Sequence, residues 1–217
     1  QLPLYIGFAL IALAVIYAVV FMTEAERPVP ITYAKQSRGG KTYGGTSSYL
    51  PLRLNQAGVI PIIFALSILL FPQMLVNILA SFNIGWVSTA SNYVLEFFNN
   101  LPLYAATYFV LVFAFTFFYT AVTFDPEAVS KNLQRGGAFI PGIRPGNQTA
   151  EYLGNLVTRL TLVGAFFLSA VAVLPIGMQI VTGVAALAIG GTALLIVVTV
   201  VLDLIRRIDA QVSLREY

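Results

Sequence analysis

Four uncharged stretches, Leu4–Thr23, Leu54–Leu95, Phe97–Phe124 and Leu160–Leu202, alternate with short polar segments along the chain. A helix that crosses a bilayer needs about 20 apolar residues, so each stretch holds one or two crossings. The pattern predicts five spans, at 4–23, 56–72, 102–124, 156–176 and 181–202. The expected fold class is an all-α integral membrane protein in a single membrane domain. Its polar loops are 24–55 and 125–155, with a polar tail at 203–217.

The polar segments carry their own signals. After the first span, Pro28 and Pro30 keep the backbone extended, because the residue before a proline is disfavoured in the helical region. A short strand is expected over Val29–Tyr33, and the glycines at 39, 40, 44 and 45 suit a flexible hairpin tip. Within that tip, Arg38-Gly39-Gly40-Lys41-Thr42 resembles part of a phosphate loop. The motif needs a glycine where Lys35 stands, and a helix after the lysine. A basic loop tip is the better reading.

The second span opens at Asn55-Gln56, carries Pro61 about one turn in and is expected to close at Pro72. A proline inside a crossing frees a carbonyl and permits a kink. Asn55, Gln56, Ser67 and Gln73 make this span more polar than a lipid-facing helix. They serve either hydrogen bonds between helices or a helix that moves or lines a watery path. Asp125-Pro126 reads as an N-cap and first helical residue, predicting a short helix over 126–134 that ends at Gly136-Gly137. Thr149 is the expected cap of the fourth span, and Ala186 and Gly190 give the fifth a close-packing face. Trp86, Tyr93 and Tyr104 stand where interface aromatics are expected.

Composition narrows the chemistry. The chain is 58% hydrophobic and 10% charged, against about 25% charged in soluble domains. It has no Cys and no His, which excludes disulfides, thiol nucleophiles, imidazole-based triads and the usual zinc sites. No enzyme, cofactor or metal is expected. The uncharged run from Leu4, with no basic segment before it, reads as a crossing and not a secretory signal. A start at Gln1 without Met suggests a piece of a longer polypeptide.

Charge gives an orientation. Five basic residues follow the first span (Arg27, Lys35, Arg38, Lys41, Arg53) and three follow the third (Lys131, Arg135, Arg144). Arg159 is expected to snorkel to the same headgroup level, and Arg206, Arg207 and Arg215 lie in the tail, which completes all twelve. Segments 73–101 and 176–180 hold none. Basic loops stay inside, so both long loops and the C-terminus are expected to be cytoplasmic, with the N-terminus outside. Asn147-Gln148-Thr149 matches a glycosylation pattern on what is then the wrong face. No Asp, Glu or Lys lies deep in any span, whereas ion-coupled transporters keep such a group at mid-depth.

The segment from Asn132 to Gly146, NLQRGGAFIPGIRPG, resembles the loop between the eighth and ninth helices of the bacterial SecY family. LPLRLNQAGVIP from Leu50 to Pro61 resembles the start of that family's seventh helix, and TRLTLVG from Thr158 and GGTALLIVV from Gly190 resemble its ninth and tenth. The likeness runs in order from about residue 4 to the end. It implies the C-terminal half, helices six to ten, of a ten-helix protein-conducting channel with two pseudo-symmetric halves. Such a channel moves unfolded polypeptides across the bacterial plasma (inner) membrane and releases apolar segments sideways into it.

The implied partners are the N-terminal half of the same channel, SecE and SecG, the SecA motor, the ribosome, the translocating polypeptide with its signal sequence, and membrane lipids. The resemblance further implies motor or ribosome docking at Arg144, Arg135, Lys131, Lys35, Arg38 and Lys41. It puts a lateral gate at Asn55, Gln56 and Pro61, and an apolar pore constriction at Ile63 and Ile196. Family members often carry a basic pair near Arg27, where this chain has Pro28, so that contact is not carried over. The other readings are half of an inverted-repeat solute transporter, or a non-conducting membrane scaffold.

Overall fold

The computed structural model describes residues 2–34, 36–38, 41–43, 45, 47–80 and 93–184, and also 193, 196–198, 200, 201, 204, 205 and 208. Its elements are α1 (Leu2–Glu24), β1 (Glu26–Tyr33), β2 (Gln36–Arg38), β3 (Lys41–Tyr43), β4 (Ser47–Arg53) and α2 (Ile60–Ala80). They continue with α3, described over 93–99, then α4 (Leu101–Thr123), α5 (Pro126–Arg135), β5 (Ala138–Phe139) and α6 (Asn147–Thr182). Among the described residues three helices, α2, α4 and α6, are long and apolar enough to cross a membrane, and α1 adds 23 helical residues.

Two helices depart from expectation at their prolines. The helix expected over 56–72 runs from Ile60 to Ala80, straight through Pro72. Pro61 therefore lies in the first turn, where its missing N–H would have had no helical partner, so it kinks nothing. The fourth helix begins at Asn147, not 156, and continues past 176 through Pro175 to Thr182. Packed neighbours tolerate proline in such helices. Gly183 ends α6 in the left-handed conformation at φ +71°, its N–H donating to Gln179 O at 2.8 Å.

The helices share one apolar core. Val59, Ile62, Ala65 and Leu69 of α2 and its approach meet Ala105, Tyr108 and Val112 of α4, and Leu168, Ala172 and Ile176 of α6. α1 touches α6 more lightly, through Val15 and Val19 against Phe167 and Val171. Three deep hydroxyls are satisfied within their own helices: Thr116 donates to Val112 O, Thr120 to Thr116 O and Ser169 to Ala165 O.

A second core lies at the basic end. The strand expected over Val29–Tyr33 is longer, and β1 pairs antiparallel with β4 from Glu26↔Arg53 to Thr32↔Ser47. Its far end pairs with β5, Thr32↔Phe139 and Tyr33↔Ala138, giving the order β4-β1-β5. Val29 and Ile31 alternate inward while Pro28 and Pro30 face out, the period-two pattern of a half-covered sheet. The sheet buries Val29, Ile31 and Leu52 against Ile140 and against Leu153, Leu156 and Val157 of α6. β2 and β3 form a separate ribbon, Arg38 opposite Lys41. A strand and not a helix follows the Gly-Gly pair, so the phosphate-loop geometry is absent there.

Candidate docking loop and channel wall

The loop between α5 and α6 is shaped by its anchors. Asp125 caps α5, its carboxylate accepting from Glu127 N at 2.9 Å and Ala128 N at 3.1 Å. Gly136 closes that helix and Gly137, at φ +69°, turns the chain back into β5. Ile140 is 3% exposed in the sheet core, and Ile143 packs against the same cluster while its N–H donates to Ile140 O at 3.1 Å. Arg144 follows as an exposed residue. Two buried hydroxyls then clamp the loop's outgoing strand of backbone. Thr149 donates to Arg144 O at 2.9 Å, and Ser130 donates to Gly146 O at 2.7 Å.

Thr149 is thus not the cap of the helix it begins. Gly146 holds that place without a side-chain bond, at φ +102°. The threonine of the Asn147-Gln148-Thr149 pattern is spent on the loop, 2% exposed.

The structure brings Lys131, Arg135 and Arg144 to one module, all three exposed. Lys131 pairs with Glu127 one turn away at 3.4 Å, an exposed contact worth little, so its charge stays available to a partner. Arg38 and Lys41 are partners in the backbone register of the β2–β3 ribbon, and Lys35 lies outside the described residues. Arg53 pairs with Glu26, its opposite number in the β1–β4 register, at 3.1 Å.

Helix α2 is set by the turn before it. The Asn55 side chain accepts from Gly58 N at 3.1 Å and donates to Gly58 O at 3.2 Å, and Gly58 has φ +63°. Asn55 is therefore a turn-former. Gln56 lines a cleft of about 270 Å³ with Leu50, Arg53, Phe124 and Val129. Pro61 is fully buried. Ile62 points into the core at 3% exposure, whereas Ile63 points away at 41%. Ile196 sits half-buried on the helical stretch 196–198. Ala186, Gly190 and Trp86 lie outside the described residues.

Sequence reasoning missed the contact that seats α2. A Cβ on Gly164 would come within 2.4 Å of Leu54 O and 3.2 Å of its carbonyl carbon. α6 can therefore approach the Leu54–Asn55 backbone only because residue 164 has no side chain. The signal was a lone glycine in an apolar run, which has many ordinary readings. Ser130 and Thr149 were missed as loop anchors because their partners lie outside their own helices.

Comparison with known proteins bears on what these features serve. The SecY family model matches residues 2–205. The protein translocase subunit SecY of Mycobacterium leprae is 41% identical over 222 residues, which cover 99% of this chain and 50% of that protein. Its counterpart in Vibrio cholerae is 41% identical, covering 96% and 47%, and that in Halalkalibacterium halodurans 42%, covering 96% and 48%. A solved structure from work on the SecY plug domain and the closed state of the translocation channel aligns with TM-score 0.56. It covers 92% of this chain and 48% of its own at 17% identity, a likeness of fold. The chain spans about half the length of each of these relatives. On the family match and the identity along nearly all of its length, the chain belongs to the SecY family.

Proposed function

We propose that this chain forms the C-terminal half, helices six to ten, of a protein-conducting channel in the bacterial plasma membrane. The observation that carries the reading is about 41% identity to protein translocase subunits along 99% of the chain. In this reading five crossings leave both long loops and the tail in the cytoplasm, a topology that the one-sided distribution of basic residues supports. That similarity favours the channel over the solute-transporter and scaffold readings.

Two features support the parts of the reading. Lys131, Arg135 and Arg144 make an exposed basic surface on a folded module, suited to an acidic soluble partner such as the SecA motor or the ribosome. α2 turns Ile63, Phe64, Phe71 and Met74 away from the core. That apolar wall, closed by the N-terminal half with SecE and SecG, offers a passing polypeptide no specific polar partner. Its start, Asn55 to Pro61, serves as the hinge side of a lateral gate through which signal sequences reach lipid. Ile63 and Ile196 form the apolar constriction, which seals by dewetting.

Two variants of the complete channel test this in reconstituted membranes. Arg144→Glu places repulsion where a bidentate guanidinium acted, so motor-driven export falls at least tenfold with assembly unchanged. Ile63→Gly raises resting ion conductance while export continues. Normal export in the first variant removes the docking role. A destabilised but ion-tight channel in the second moves the constriction elsewhere.

A further inference from the structure

Ser130 and Thr149 use their hydroxyls differently from many of the serines and threonines inside the long helices. Ser67, Thr116, Thr120 and Ser169, for example, each return to the carbonyl four residues earlier in the same helix. Ser130 instead reaches 16 residues along the chain to Gly146 O, and Thr149 reaches out of its helix to Arg144 O. Both side chains are 2% exposed. The two carbonyls they hold bracket Pro145.

That bracket leaves the backbone little freedom. Pro145 has its φ fixed by its ring, and Arg144, as the residue before a proline, is restricted to extended conformations. On the other side the Ile143 N–H is held by Ile140 O at 3.1 Å. With the carbonyls of 144 and 146 tied as well, the segment has a single orientation, and an exposed arginine on it has a fixed root.

We propose that Thr149 and Ser130 are positioning residues for Arg144, which fix the direction in which its guanidinium meets an acidic partner. The inference rests on the docking role given to Arg144 above. A preset loop leaves less ordering to be done on binding, so docking tightens. Neither hydroxyl touches the partner itself.

The test titrates purified SecA against the complete channel in membranes and reads the motor concentration giving half-maximal export. Thr149→Val keeps the shape and removes the donor, and it raises that concentration about five- to tenfold, with the maximal rate unchanged. Thr149→Ser restores it to within about twofold. In an Arg144→Ala background, Thr149→Val adds nothing further, as coupling between the two residues requires. Should Thr149→Val fail to insert, Ser130→Ala unties the other carbonyl and carries the same comparison.

An unchanged half-maximal concentration in the single variant overturns the proposal. So does an equal loss in both backgrounds, which is the mark of a merely structural hydroxyl. Loss of the parent reading looks different: there Arg144→Ala itself leaves the titration unmoved.

Discussion

The two cores of this chain, one among the long helices and one under the sheet, solve the same packing problem against different solvents. Among α2, α4 and α6 the buried hydroxyls of Thr116, Thr120 and Ser169 bond inside their own helices, so none of the three ties one helix to another. Under the sheet, strands from loops about a hundred residues apart pair directly, and Ser130 and Thr149 tie separate segments together. The alternative to the helix core is lipid, as apolar as leucine, and the hydrophobic effect contributes little between such helices. The alternative to the sheet core is water. The sheet end is therefore held by directional bonds and water exclusion, and the helix core by fit.

The sharpest break of that comparison is a matched pair of truncations. Leu153, 0% exposed in the sheet core, and Leu168, 4% exposed in the helix core, are both large and central. Leu153→Ala should cost about 2–5 kcal/mol, the usual range for a leucine facing water on unfolding. Leu168→Ala should cost about half as much, because the transfer contribution is missing in lipid. Thermal unfolding of the complete channel measures both. A Leu168 cost equal to or above that of Leu153 collapses the distinction.

The fit argument is sharpened by two glycines of α6. At Gly164 an added methyl meets Leu54 O at 2.4 Å, whereas at Gly154 it meets the Pro126 ring no closer than Cγ at 3.6 Å. Gly164→Ala should therefore destabilise by about 1–3 kcal/mol through displacement of α2. Gly154→Ala should be neutral or gain up to about 1 kcal/mol from helix propensity. Equal behaviour of the two in the same unfolding assay contradicts a seat for α2 on Gly164.

The smallest effect is expected at Tyr108. Its ring is fully buried, stacked on Tyr104 with centroids 6.4 Å apart, and its hydroxyl has no partner among the described residues. Tyr108→Phe removes an unsatisfied polar atom, so stability should hold within about 0.5 kcal/mol or rise. A loss above about 1 kcal/mol reveals a hydrogen bond to that hydroxyl from the rest of the complete channel.

What was legible in the chain followed from local physics. Apolar runs marked the long helices, Asp125-Pro126 marked the start of α5, and Pro28 and Pro30 marked extended backbone. The far ends of α2 and α6 were not legible, because Pro72 and Pro175 act as stops in water and are tolerated among packed apolar helices. The pairing of β1 with β5 joins residues 32 and 139, and no short-range pattern encodes it. Arg144 was singled out through the resemblance of its loop to that of the SecY family. The residues that hold it did not, since a serine on α5 and a threonine in a first helical turn look like routine helix chemistry until their acceptors are known.

The strand order β4-β1-β5 carries a mechanical consequence. β1 issues from α1, β4 leads into α2, and β5 bridges α5 to α6, so one sheet staples together the same ends of these helices. Ribs joined at one end move like those of a folding fan: displacement vanishes at the pivot and grows along each rib. At 1.5 Å per residue the 21 residues of α2 make a rib about 30 Å long, and a swing of about 10° carries its free tip roughly 5 Å. A tip displacement of that size would leave the sheet at the pivot with its geometry unchanged.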